Sequence, residues 1–169
     1  MHARFFWLLL LGLMSLICLR PARADKDDEP GHADDKDHVV VTPDKIKWSP
    51  APPSLPSGAQ VAVLAGDPRK SGSYTMRVKL PDGYKVPPHW HPVDENVTVI
   101  EGTFNIGRGE KFDRAATQEL PAGSYVRMPK KMRHFAWAKG ETIIQVHGTG
   151  PFEINYVNEA DDPRKQKKE

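Results

Sequence analysis

Only one cysteine, Cys18, stands in the 169 residues, which excludes a disulfide framework and a multi-thiolate metal site. It lies within the single long hydrophobic run, Phe5 to Leu19. That run follows a short polar start with His2 and Arg4 and precedes Ala22-Arg23-Ala24, a small-x-small cleavage pattern. It is shorter than the roughly 20 apolar residues that a spanning helix needs, and Ile17 is too bulky for the residue before a lipoprotein cysteine. Residues 1–24 therefore read as a secretory signal peptide, and the mature chain is expected to be exported, to the periplasm or outside the cell, with no membrane anchor. Cleavage would also remove the cysteine, and with it any thiol nucleophile or thiolate ligand.

Net charge is lacking as well. Loss of Arg4, Arg20 and Arg23 takes the 24 Lys and Arg down by three to 21, against 22 Asp and Glu. A chain so close to neutral excludes the electrostatic footprint of a nucleic-acid or anionic-membrane binder. Helical periodicity is missing too: no window repeats its apolar residues at 3.6. Residues 25–47 begin with DKDDEPGHADDKDH, charged and without apolar side chains, and are expected to form a disordered leader. His32 and His38 among those aspartates could collect metal weakly, although such charge runs are usually solvated. Residues 159–169 form a charged tail expected to fray.

What the chain does have is short strands. Tyr74, Met76, Val78 and Leu80 alternate with Thr75, Arg77 and Lys79, the period of a strand with one buried face. Further segments follow at 60–64, 97–101, 103–106, 116–120, 124–128, 135–138, 142–147 and 153–157, punctuated by Gly, Pro, Asn or charged pairs. This pattern predicts an all-β sandwich or barrel. The stretch GYKVPPHWHPVDENVTVIEG carries the chemistry. Residues i and i+2 of a strand share a face, so His89 and His91 can aim at one point, and a bend at Pro92 can return Glu95 to it. Two imidazoles and a carboxylate suit a divalent first-row metal and leave coordination positions open.

Gly83, five residues, His89-x-His91, three residues, Glu95, six residues and Gly102 resemble the first motif of the cupin superfamily at each defined position. Gly123-SYVRM-Pro129 resembles the start of the second motif, and His134 falls at its metal-ligand position. Two positions depart: Lys131 replaces the turn glycine and Ala138 the terminal asparagine. The first departure puts the turn at 130–133 in question, the second a polar contact behind the metal. PAGSYVRMPKKMRHFAW is also similar to the cupin half of zinc-binding anti-sigma factors, but only in one motif and without their helical half, so the sigma function is not carried over.

The resemblance implies a double-stranded β-helix, the cupin jelly-roll barrel, over residues 48–158, with His89, His91, Glu95 and His134 holding one divalent ion of Fe, Mn, Zn, Ni, Co or Cu. It implies a small-molecule substrate or ligand, and edge strands able to pair into a homodimer. Dioxygenation is the leading expectation, and non-catalytic binding or sensing of a metal or small ligand the alternative. With Glu95 inward, Val97 and Val99 share its face and form an apolar pocket wall; with His134 inward, so is Ala136, while Phe135 and Trp137 face the other way. Gln145 is a further pocket candidate. Glu95 is a candidate proton acceptor and His147 a candidate acid–base group, with a hydrogen-bonded structural role equally open for His147.

Overall fold

The computed structural model describes residues 38–166. The expected signal peptide, His32 and most of the acidic leader lie outside the described residues. Nine strands follow in order: β1 (Ser49–Pro50), β2 (Gln60–Ala65), β3 (Gly72–Leu80), β4 (Lys85–Trp90), β5 (Glu95–Arg108), β6 (Thr117–Pro121), β7 (Tyr125–Met128), β8 (His134–Gly150) and β9 (Asn155–Tyr156). Every pairing among them is antiparallel. Among the described residues the only helical turns are short 3-10 turns, and no helix is long and apolar enough to cross a membrane.

The longest strand, β8, is the hub. Its second half pairs with β3, from Gly72 opposite Gly150 to Leu80 opposite Thr142, while its first half pairs with β4, with His89 opposite His134. Its other edge runs along β5 from His134 opposite Arg108 to His147 opposite Asn96. β5 then carries β6 and β7. The sheet curls on itself as an all-β jelly roll, and the faces it turns inward make one core. Tyr74, Met76, Val78 and Leu80 are all buried there, with Val97, Val99, Ile144 and Val146.

Two expected strand boundaries are absent. Segments 97–101 and 103–106 are one strand, and 135–138 and 142–147 are another. The glycines between them are bends within strands and not turns between strands. Gly102 takes φ +73°, and a Cβ there would sit 2.3 Å from the carbonyl oxygen of Glu141 on β8. The register of β5 on β8 shifts on both sides of the preceding Glu101, so a bulge bends the two paired strands together. The predicted strand at 153–157 shrinks to Asn155–Tyr156, since the carbonyl of Glu153 goes to a histidine ring instead of a ladder. The C-terminal segment is tied down further than a frayed tail would be. Arg164 pairs with the buried Asp162 at 2.8 Å and donates to the carbonyl of Ile154 at 3.0 Å.

Candidate metal centre

β4 runs through Val-Pro-Pro-His, where the two prolines fix φ and limit how the chain can approach the site. His89 ends this pairing opposite His134 of β8, His91 lies just past the strand, and Glu95 opens β5. All four residues are buried, between 1% and 8% exposed. One ring nitrogen from each of His89, His91 and His134 lies within 4.8 Å of the other two. The Glu95 Oε2 is 3.2 Å from Nε2 of His91 and 3.4 Å from Nε2 of His134.

The opposite edges of the rings explain this convergence. Nδ1 of His89 meets the carbonyl of Pro87 at 2.7 Å, Nδ1 of His91 that of Glu153 at 2.7 Å, and Nδ1 of His134 that of Met132 at 3.0 Å. A carbonyl only accepts, so each Nδ1 carries the proton and donates it. In the neutral ring the lone pair is then on Nε2, which fixes the tautomer and orientation expected of metal-binding imidazoles. Nε2 of His91 is buried without a hydrogen-bond partner, since its contact with Glu95 is close but not aligned for one. An orphaned donor atom facing a carboxylate and two imidazoles is a poor polar network and a good cation site.

Electrostatics point the same way. Burial alone would raise the Glu95 carboxyl, but the charge of His91 and the close approach of the His134 and His91 rings outweigh it and hold the group well below the usual carboxylate range. Burial opposes charge on His91, yet Glu95 beside it raises its affinity for a proton above that of free imidazole. His89 goes the other way, pushed well down by burial and then by the neighbouring His134 and His91.

Both departures from the second motif are absorbed by the backbone. Lys131 adopts the left-handed conformation itself, at φ +64°, and its N–H donates to the carbonyl of His91 at 2.8 Å. The turn therefore survives without glycine and clasps the two ligand-bearing segments together. Asp94 adds to the clasp by accepting from Lys130 N–H at 2.8 Å and pairing with Arg127. Ala138 is fully buried; its N–H donates to Tyr84 and its carbonyl accepts from Gly83, so main-chain bonds hold β4 and β8 together where asparagine is missing.

The four side chains open into a cavity of ≈ 60 Å³ walled by apolar groups, among them Val86, Phe104, Ile106, Ala136, Ile144 and Val146. Ala136 is on the wall as expected. Val97 and Val99 point inward with Glu95 but are packed in the core away from the cavity. Gln145 and His147 require correction: they occupy the face of β8 opposite the inward Ile144 and Val146. Gln145 accepts from Arg77 there at 3.4 Å. Neither lines the cavity, so His147 is not placed to move a proton in it. Phe135 and Trp137 do face away from the site, Phe135 packing on Phe112 with ring centres 5.2 Å apart. One residue carried no signal in the sequence. Phe152, from an irregular stretch, stacks on His91 with centroids 4.4 Å apart and planes at 21°.

Comparison with known proteins places this arrangement. The profile of the ChrR cupin-like domain matches residues 36–153. Germin-like protein subfamily 2 member 1 from Arabidopsis thaliana is 31% identical over 94 residues, 55% of this chain and 42% of its own length. The chain thus matches less than half of that relative. The solved structure of the polyketide cyclase RemF from Streptomyces resistomycificus aligns with TM-score 0.62 and 17% identity, covering 75% of this chain and 89% of that one. An acetylacetone dioxygenase from Acinetobacter johnsonii aligns with TM-score 0.56 and 16% identity, covering 74% and 80%. At such identities the two structures share the fold alone. The family profile is the stronger link, and by it this chain belongs to the ChrR cupin-like domains.

Proposed function

We propose that the protein is an exported mononuclear metal-binding cupin that acts as a metal-dependent dioxygenase or related oxidoreductase on a small organic molecule. One observation carries the metal: three imidazoles, each tied through Nδ1 to a backbone carbonyl, turn Nε2 toward one another beside a buried carboxylate. His89, His91, His134 and Glu95 would hold the ion. Bound there, Fe or Mn would supply redox chemistry toward dioxygen, and Zn would supply Lewis acidity.

The chain's own contribution is readable from the cavity wall. Among the described residues its only polar side chains are the four candidate ligands, and the rest is aliphatic, thioether or aromatic. Such a wall excludes water and strengthens whatever electrostatic contact is made inside. It also leaves Glu95 as the one group in the chamber able to accept a proton from a substrate. A reaction needing a separate general acid and base therefore suits the site less well than an oxidation. The structural likeness to a protein named as an acetylacetone dioxygenase agrees with this reading, but it is a likeness of fold.

The absence of any second acid–base group from this wall also favours an alternative, a non-catalytic cupin that binds or senses a metal or small ligand. Elemental analysis of protein prepared without chelators, followed by oxygen-uptake assays on the Fe-loaded chain with phenolic, thiol and diketone compounds, separates the two. About one Fe or Mn per chain and substrate-dependent oxygen uptake are expected. Bound metal with no uptake would favour the alternative, and no metal at all would overturn the site.

A further inference from the structure

A second and larger cavity of ≈ 520 Å³ adjoins the histidine chamber, with Pro52, Val61, Val63 and Pro68 on its outer walls. Leu55, Met76, Phe152 and Ile154 line both cavities and so form the partition between them. We propose that this outer cavity is a binding chamber for an uncharged, apolar or aromatic small molecule, whose polar end reaches the histidine cluster past Phe152. The chamber stands on its own geometry; the statement that its occupant is the substrate rests on the metal-centre reading.

Size is the first argument. The inner chamber, at ≈ 60 Å³, holds only a few waters' worth of space. A substrate of more than a few heavy atoms cannot lie wholly inside, and its remainder needs an adjoining cavity. Charge is the second. Among the described residues Asp67 and Arg69 are the only charged side chains on the outer walls, and they satisfy each other: Nε donates to Oδ1 and Nη2 to Oδ2, both at 3.0 Å. No unpaired charge is left to receive an ion, and burying a charged ligand against the remaining apolar wall without a partner is costly. The build of the partition is the third. Phe152 is half-buried, sits in an irregular segment and is held through its backbone, N–H to the carbonyl of Pro68 at 2.7 Å. Its ring stacks on His91 but has no hydrogen bond to break on turning. Met76 beside it is unbranched and adapts to changes of shape.

Titration of the full chain with N-phenyl-1-naphthylamine, a neutral probe that fluoresces in apolar surroundings, tests this in both metal-free and Co(II)-loaded protein. Saturable 1:1 binding in both forms is expected. Val63, on the rim and 51% exposed, can be changed without touching the core. Val63→Asp should weaken the probe about tenfold or more, and the anionic analogue 8-anilinonaphthalene-1-sulfonate should bind the native chain more weakly by a similar factor. In the Co(II)-loaded protein, Phe152→Ala should increase quenching of the probe by the ion. Absence of saturable binding, an unchanged affinity in Val63→Asp, or equal binding of the two probes would overturn the chamber. Equal quenching in Phe152→Ala would overturn the passage. Probe binding by a chain that takes up no metal would keep the chamber and sink the metal reading, while metal uptake without probe binding would do the reverse.

Discussion

Chelator treatment followed by return of a divalent ion perturbs the histidine chamber, and its effect on melting can be worked out beforehand. An ion at a thousand times its dissociation constant adds about 4 kcal/mol to the stability of the state that binds it. A domain of this size gains about 2–4 °C per kcal/mol, so the expected rise is about 8–16 °C at neutral pH. The ion takes Nε2 of His91, where Glu95 has raised the affinity for a proton. Below that raised value, each unit fall in pH costs about tenfold in metal affinity, or about 1.4 kcal/mol. The shift should therefore shrink by about 3–6 °C per unit.

In the metal-free chain two histidines of the site pull in opposite directions with pH. A histidine with a raised folded value contributes stability that is present below its unfolded value, near ~6.5, and lost as pH rises through the folded one. Glu95, held low, contributes stability that persists above the ordinary carboxylate range and is lost only as pH falls through its depressed value. His89, held well down, does the reverse of His91: neutral in the fold and protonated in the unfolded chain, it costs stability as pH falls below ~6.5. The His91 contribution is thus lost above that value and the His89 cost grows below it. Scanning fluorimetry at three pH values, with and without Zn or Mn, reads the result. A metal-induced shift that is independent of pH, or that survives in a His91→Ala, Glu95→Ala double variant, would refute the reasoning.

Lys131→Gly should stabilise the chain by about 0.5–1 kcal/mol in urea unfolding. The left-handed backbone costs a side-chain-bearing residue about 1–2 kcal/mol, and the greater freedom of unfolded glycine takes back part of it. Gly107→Ala should lower stability by about 1–3 kcal/mol, because the added Cβ would lie 2.3 Å from the ring of the buried Phe135; a variant as stable as the parent would show that the ring is not seated there. Glu95→Ala should lower metal occupancy measured by elemental analysis, whereas Gln145→Ala and His147→Ala, on the outer face of β8, should leave it unchanged.

The ligands were legible because the residues that set them are local. The His-x-His pair, the bend at Pro92 and the glycine–proline turn leave little freedom, and the parity of β3 gave its buried face directly. Glycine obscures the rest. Gly102 and Gly140 look like turns in the sequence, so its pattern divides two long strands into four and loses the inward phase across the break. Followed from His134 through β8, the even-numbered residues His134, Ala136, Ala138, Ile144 and Val146 face the core, which leaves Gln145 and His147 outside. Val97 and Val99 have the right parity, but parity gives a face and not the extent of a cavity. Phe152 was not legible at all. Its stretch follows neither the strand nor the helix period, and its role depends on the carbonyl of Glu153 reaching across 62 residues to His91.

All three imidazoles are aimed by carbonyl groups of the main chain, with no side chain interposed. Every residue type supplies that same oxygen, so replacing Pro87, Met132 or Glu153 changes a ring's support only as far as the backbone itself moves. The apolar wall is built from other side chains, such as Val86 on β4, Phe104 on β5 and Ala136 on β8, on which those carbonyls do not depend. Ligand geometry and chamber shape are therefore nearly independent variables of this sequence: the wall can be rebuilt for a new occupant, by drift or by design, while the metal-binding tautomers stay as they are.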